Sequence, residues 1–247
     1  MGNSVVHFEV MGTDALALQK FYADLFGWHV QNMEDMGNYG LVDTHAGGGI
    51  NGAIGAVQDG TPFVTFYVAV PDLDTTLNQI ESLGGAVAMP PVEIPGVVTF
   101  AQFTDPLGNV VGIIKDGEGE NPGVSPGDGI KVEWFEVLSS NPSLLVTFYS
   151  TVFGWTEKPG SGSGDGGFEY HEMDTSATSI SGGIGATPDG SNHVTLYAQV
   201  DDVAKYLEAA ESLGAKTIMG PQDMGGTRIG VFLDPQGLAF GLFSPIG

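Results

Sequence analysis

The sequence predicts an α+β fold of four βαβββ modules grouped into two similar domains. Two observations carry that prediction. First, the chain repeats itself: the stretch from His7 to Trp28 returns 127 residues later as Trp134 to Trp155, with 9 of 22 positions identical and none inserted. Further echoes follow in the same order. Residues 51–56 match 181–186, 64–67 match 194–197, Glu81-Ser82-Leu83-Gly84 matches Glu211-Ser212-Leu213-Gly214, and Asp105-Pro106-Leu107-Gly108 matches Asp234-Pro235-Gln236-Gly237. The offset drifts only from 127 to 130, so the repeating unit is a domain rather than a short solenoid repeat. Second, within each copy a short alternating segment leads into an amphipathic helix, and that sequence of elements occurs twice.

The first strand is expected over 5–11. Leu18, Phe21, Tyr22, Leu25 and Phe26 then recur at i, i+3, i+4, i+7 and i+8, which is one face of a helix. Asp14 is its expected N-cap and Gly27 its stop. Three short strands are expected within 28–57 and another over 63–70. Leu73, Leu77 and Ile80 mark a helix over 73–83 that Gly84-Gly85 ends, and strands follow near 86–89, 98–104 and 109–115. The second copy uses Leu145, Phe148, Tyr149, Val152 and Phe153 for its first helix, opened by Asn141-Pro142, and Val203, Tyr206, Leu207 and Ala210 for its second. The run at 116–129 has turn formers and no apolar period, so the boundaries are domain one at 1–116, a linker at 117–129 and domain two at 130–247. A Gly/Ser run at 159–167 reads as a loop.

Composition narrows the function. At 247 residues with 42% apolar content, the chain can bury two cores. Thirty acidic against seven basic residues give a net charge of -23, which repels phosphate backbones and anionic lipid, so neither nucleic acid nor a membrane is an expected partner. Colloidal solubility or adaptation to salt explains the charge more readily than a charge-selected ligand does. The absence of Cys removes thiolate nucleophiles and zinc-thiolate sites. With no basic leader pattern and no apolar run of spanning length, a soluble cytoplasmic protein is expected.

Strand-one His7-Phe8-Glu9-Val10, the helix ending in Phe26-Gly27-Trp28, and Asp105-Pro106-Leu107-Gly108 before the last strand resemble the vicinal oxygen chelate superfamily of glyoxalases, bleomycin-resistance proteins and dioxygenases. The resemblance spans 5–115 and 131–244. It implies that paired modules curl mixed sheets into cups that hold the ligand, and that four modules supply in one chain the two cups shorter relatives make by dimerising. A monomer is therefore expected. It also implies four metal-ligand positions per cup. These fall at His7, near Asn51, at Thr65 and at Gly112 in domain one, and at Trp134, near Ser181, at Thr195 and at Gly241 in domain two. Only one of the eight is an imidazole and none is a carboxylate, so no metal and no cofactor are expected.

Strand alternation places Glu9 with His7, and Glu136 with Trp134, on the face that implies ligand contact. Glu9, His7, Glu136 and His193 are the candidate catalytic residues; Trp134, Thr65, Tyr67, Thr195, Tyr197, Tyr39 and Tyr170 are the candidate substrate-binding residues. An unpaired carboxylate in an apolar cup would have a raised pKa suited to proton transfer, whereas a carboxylate bonded to Tyr or backbone donors would only stitch the sheet. His171 could join His193 in restoring proton transfer in the second cup. His29 and His45 read as loop histidines, Trp28 and Trp155 as packing residues, and the sole arginine, Arg228, as a surface cation. The favoured expectation is a metal-independent protein that binds a largely apolar aromatic or polyketide-like compound and performs acid-base chemistry on it: cyclisation, dehydration or isomerisation. The alternative is a binding protein that sequesters an antibiotic or toxic compound, and a metal-dependent glyoxalase, lyase or dioxygenase is the remaining reading.

Overall fold

A computed structural model describes residues 2–58, 60–117, 127–159, 162, 168–177 and 179–246. The first half contains β1 (Val5–Gly12), α1 (Ala15–Phe26), β2 (His29–Met33), β3 (Tyr39–Asp43), β4 (Gly52–Ala56), β5 (Phe63–Val70), α2 (Leu73–Ser82), β6 (Ala86–Ile94), β7 (Val98–Thr104) and β8 (Val110–Lys115). The second half repeats the series as β9 (Val132–Ser139), α3 (Pro142–Phe153), β10 (Thr156–Glu157), β11 (Tyr170–Asp174), β12 (Ser181–Ala186), β13 (His193–Gln199), α4 (Val203–Ser212), β14 (Lys216–Met224), β15 (Thr227–Leu233) and β16 (Ala239–Pro245). This is the βαβββ order four times over. Of the expected linker, residues 118–126 lie outside the described residues, while Asp128 forms a bridge with Ala46. Most of the Gly/Ser run at 159–167 also lies outside them.

Local chemistry explains the helix ends. The Asp14 carboxylate accepts from the Ala17 N–H and the Asn141 side chain accepts from the Leu144 N–H, each satisfying a donor that has no partner inside the helix. Gly27 and Gly154 close α1 and α3 in the left-handed conformation at φ 71° and 67°. Asp72 and Asp202 cap α2 and α4 in the same way.

Each half of the chain builds one eight-stranded mixed sheet. The orders are β2-β3-β4-β1-β5-β8-β7-β6 and β10-β11-β12-β9-β13-β16-β15-β14. Strands β1 and β4 pair in parallel, as do β5 and β8, and the corresponding pairs in the second sheet do the same. The outer strands are antiparallel.

Side-chain packing cuts across the sequence repeat. One compact unit holds Met1–His7, Thr65–Gly123 and Trp134–Val194; the other holds Phe8–Val64, Val124–Glu133 and Thr195–Gly247. In the first, Tyr149 of α3 stacks on Trp155 and donates its hydroxyl to Asp105 at 3.0 Å, while Phe66 and Phe135 meet at 4.4 Å between ring centres. In the second, Tyr22 of α1 stacks on Trp28 and donates to Asp234 at 3.1 Å, with Phe240 against both rings. The helix of each half thus buries its apolar stripe beside the Asp-Pro-x-Gly turn of the other half. Trp28 and Trp155 are core residues, with indole N–H groups bonded to the Ile130 and Asn3 carbonyls.

Candidate functional site

Alternation along β1 and β9 sorts their side chains. Phe8, Val10, Phe135 and Val137 are fully buried, with Phe8 on Trp28 and Phe135 on Trp155. His7 and Glu9, like Trp134 and Glu136, therefore share the opposite face. There the structure brings together residues that sequence reasoning named separately. The Tyr39 hydroxyl donates to Glu9 Oε1 at 2.6 Å. Its counterpart Tyr170 donates to Glu136 Oε1 at 2.7 Å and accepts from Trp134 Nε1 at 3.2 Å. Of the two expectations for these carboxylates, the Tyr-bonded one is what the structure shows: a carboxylate withdrawn from water recovers lost hydration by taking the nearest phenol donor. Burial, and then the charge of Glu136, push the Tyr170 phenol well above its ordinary 10, so it remains a proton donor across the physiological range.

Small residues make room for these tyrosines. A Cβ on Gly183 would lie 2.0 Å from Tyr170 Oη, and one on Gly185 would lie 2.7 Å from its ring. The Gly-x-Gly spacing of β12 is the sequence signal of a ring lying across that strand.

The implied metal positions have been filled by packing. The Asn51 side-chain oxygen accepts from the Thr44 N–H at 3.0 Å and its hydroxyl at 2.8 Å, and Thr65 donates to the Val110 carbonyl at 2.7 Å. Gly112 pairs with Tyr67 across β8 and β5, and a Cβ on Gly112 would fall 2.1 Å from the Tyr67 ring. Gly241 stands in the same relation to Tyr197, at 2.1 Å. In the second sheet Ser181 pairs with Trp134, and Thr195 is buried with no hydrogen-bond partner for its hydroxyl. Among the described residues, no three His, Asp or Glu side chains converge as metal donors. A divalent ion does not fit this set, because what remains offers at most one imidazole per face with no carboxylate beside it in the required positions.

Around Tyr67 lies a group that sequence reasoning caught only in part. Its ring meets the His7 imidazole edge-on at 5.6 Å and Phe100 at 6.2 Å, and its hydroxyl accepts from Gln102 Nε2 at 2.6 Å. Burial lowers the His7 pKa from 6.5 to about 4, so this imidazole is neutral near pH 7 and acts as a hydrogen-bonding group rather than a cation. Gln102 was not anticipated. The signal for it is its pairing with Gly112, which no local pattern encodes.

The remaining histidines are distributed elsewhere. His193 opens β13 half-buried, 3.4 Å from the Ser191 hydroxyl, and burial lowers its pKa against the pull of Asp189. His171 does not join the Tyr170 face, because adjacent strand residues point oppositely. It lies between Glu157 at 2.7 Å and Glu169 at 2.9 Å, on the side of buried Met173, and Glu169 also takes a short bond from Ser143. The expectation that His171 joins His193 in proton transfer meets an imidazole already held between two carboxylates. His29 and His45 are exposed neighbours, and Arg228 is held by exposed Asp223 at 2.6 Å.

Comparison with known proteins places this geometry. The family model for the glyoxalase/bleomycin resistance protein/dioxygenase superfamily matches residues 4–113, and that for the glyoxalase-like domain matches 135–243. The chain belongs to this superfamily, the vicinal oxygen chelate proteins, in a tandem two-domain form. It is 29% identical to CFP32 of Mycobacterium tuberculosis, which carries a glyoxylase name, over 96% of this chain and 93% of that protein. It is 26% identical to the anthracycline biosynthesis protein DauV of Streptomyces sp. (strain C5), over 94% and 90%. Among solved structures, the Mn(II)-bound glyoxalase of Novosphingobium aromaticivorans superposes with a TM-score of 0.68 at 18% identity, over 100% of this chain and 82% of that one. The 2,3-dioxygenase LapB of Pseudomonas sp. KL28 gives 0.67 at 15%, over 98% and 91%. These two likenesses establish the fold. No helix among the described residues is long and apolar enough to cross a membrane.

Proposed function

We propose that the protein is a metal-independent member of its superfamily that binds a small, largely apolar aromatic or polyketide-like molecule on the sheet faces that carry Glu9 and Glu136 and performs acid-base chemistry on it, as a cyclase, dehydratase or isomerase. The observation that carries this reading is that a phenol and a carboxylate stand side by side on each face that implied ligand contact, Tyr39 with Glu9 and Tyr170 with Glu136; their bond stitches the sheet at rest, and the reading requires a ligand to exchange for it. A carboxylate is a base for an acidic C–H, and a phenol is a donor for the oxygen on which negative charge develops. The bond also fixes one carboxylate oxygen, which orients the group. The names of the DauV and DnrV relatives, both anthracycline biosynthesis proteins, support a place in secondary metabolism and an aromatic ligand. His7 and His193, with lowered pKa values, serve this reading as neutral hydrogen-bonding partners. Thr195, Tyr197, Thr65 and Tyr67 contribute to ligand contact. The protein acts as a cytoplasmic monomer.

A second reading, sequestration of a toxic compound, is favoured by Trp134, a half-buried indole whose face suits stacking. One experiment separates the two. The aromatic ketone 2-tetralone has acidic C–H groups beside its carbonyl, and NMR in D2O follows their exchange for deuterium. Acid-base chemistry requires wild-type protein to accelerate exchange over buffer, and the double variant Glu9→Gln/Glu136→Gln to lower that rate about a hundredfold while retaining affinity, the single variants showing which face carries the rate. Binding of 2-tetralone with no acceleration refutes the catalytic reading and leaves sequestration.

A further inference from the structure

The corner where β10 meets β11 has a counterpart in the first half that is built differently. His171 of β11 has Nδ1 2.7 Å from Glu157 of β10 and Nε2 2.9 Å from Glu169, and Glu169 also takes a bond from the Ser143 hydroxyl of α3. In the first half, register puts Gly40 in the place of His171: Gly40 pairs with Ile54 as His171 pairs with Ile184. Val30 and Val42 face each other where Glu157 and Met173 do. The Gln19 side chain fills the space above Gly40 and donates to the Asn38 and Ile54 carbonyls at 2.6 and 3.1 Å. The same corner is thus closed once by a neutral amide and once by a titratable ring, so packing alone does not require the imidazole.

A neutral imidazole carries one N–H and an imidazolium two. With a carboxylate oxygen against each ring nitrogen, only the charged form donates to both. Burial works against that charge and the two carboxylates outweigh it, which raises the pKa of His171 above 6.5; the bonds from Ser143 and His171 lower that of Glu169. The elements packed on the ring add no further charge. α3 contains no Asp, Glu, Lys, Arg or His, its Tyr149 is buried against Asp105, and β12 has no titratable side chain. Lys158, Glu172 and Asp174 belong to the opposite face of the β10–β11 pair, and Asp165 lies outside the described residues.

Loss of the ring proton leaves one carboxylate facing a nitrogen lone pair. Glu169 is next to Tyr170 in the chain and keeps its Ser143 bond, so Glu157 is the one displaced. Its strand is short, two residues against the five of β2. Immediately after Glu157, the Lys158 N–H donates to the Glu172 carbonyl at 2.9 Å. The Lys158 ammonium lies 5.8 Å from the centre of the Trp134 ring, 3.2 Å from Glu172 and 3.6 Å from Asp174. Glu157 therefore anchors the backbone from which Lys158 reaches over the half-buried indole.

We propose that His171, as an imidazolium bridging Glu157 and Glu169, latches β10 to β11 and keeps Lys158 over Trp134, and that loss of its proton releases the strand and uncovers the indole for a flat ligand. The role of the uncovered indole rests on the ligand-binding reading above; the latch itself does not.

The test uses the full chain. Nitrogen-15 NMR of wild-type protein is expected to show both His171 ring nitrogens protonated at pH 7. Raising the pH to 9 should remove one proton, lower the exchange protection of the Lys158 N–H by about threefold or more, and shift the Trp134 indole N–H signal, all with one midpoint. The indole signal is assigned by its loss in Trp134→Phe. His193, whose lowered pKa puts its titration on the acid side of 6.5, is separated by its midpoint. His171→Gln should abolish the coupled changes; Glu157→Gln, which keeps the ring, should lower its midpoint and uncouple Lys158 and Trp134 from it. Calorimetry with 2-tetralone should show binding about threefold or more tighter above the midpoint than below it in wild-type protein, with no such difference in His171→Gln. A neutral His171 at pH 7, titration without change at Lys158 and Trp134, or the same changes persisting in His171→Gln overturns the latch. Latch signals with pH-independent binding of 2-tetralone overturn its control of the indole. Latch signals with no binding of 2-tetralone sustain the latch and refute the ligand reading, and binding without latch signals does the reverse.

Discussion

Replacing His7 by Phe should make the protein less sensitive to mild acid, by an amount that follows from the structure. Burial holds the folded-state pKa of His7 at about 4 against an ordinary 6.5. Between those values the unfolded chain takes up a proton that the folded chain refuses, so stability falls as pH falls through that window. At about 1.36 kcal/mol per pH unit the full difference is about 3.4 kcal/mol, complete only below pH 4. At pH 5 about 2 kcal/mol of it is already expressed, which exceeds the error of a urea titration on a domain of this size. Urea unfolding at pH 7 and pH 5 is expected to show wild-type protein losing about 2 kcal/mol more than His7→Phe over that interval. Subtracting the variant removes the carboxylates common to both proteins. Equal losses, or an imidazole signal for His7 that titrates near 6.5 by NMR, would refute the burial argument and with it the neutral character assigned to the Tyr67 group.

Three other outcomes are expected. Tyr149→Phe and Tyr22→Phe each deprive a buried aspartate of its phenol donor, and urea titration should register a loss of about 1–3 kcal/mol for either. Gly112→Ala forces a methyl into the Tyr67 ring and should lower stability by about 1–3 kcal/mol; an unchanged melting temperature would show that the ring yields freely. For His171, burial lowers the pKa but the bonds to Glu157 and Glu169 outweigh it, and the folded-state value is raised. Its stabilising contribution is therefore complete below the unfolded value of 6.5 and is lost as pH rises through the folded value, so thermal melts from pH 6 to 9 should fall more steeply for wild-type protein than for His171→Gln.

Much of the fold is legible in the sequence because its determinants are local. The helix stripes, the Asp14 and Asn141 caps and the left-handed Gly27 and Gly154 all lie within one turn of the elements they define. The expectation for β6 was too short. The expected strand near 86–89 runs on through Pro90-Pro91 to Ile94. It lies at the edge of its sheet, and register shifts between Val87 and Met89 and between Met89 and Val92 accommodate residues that cannot donate to a ladder. Which residues share a face of one strand was also legible, since alternation has period two. Which residues meet across strands was not: the bonds from Tyr39 to Glu9 and from Gln102 to Tyr67 depend on register, which is set by contacts distant in sequence. His171 shows the same limit from the other side, being adjacent to Tyr170 in sequence yet on the opposite face.

The same register bears on the positions where the superfamily resemblance implies metal ligands. At Gly112 and Gly241 a metal-binding superfamily fold would carry a carboxylate, but here the space above each glycine is the body of a tyrosine ring. Restoring Glu at either position would drive its first carbon into Tyr67 or Tyr197, at a distance no ordinary rotamer relieves. Tyrosine and glycine are thus a coupled pair in each half, and neither can change alone without a clash or a void. In the first half the phenol of Tyr67 is joined by Gln102 and faced by His7, and in the second half the place that corresponds to Gln102 is taken by Val231. One scaffold duplicated in one chain thereby presents two chemically different faces, which a symmetric dimer of identical single-domain subunits has no means to do.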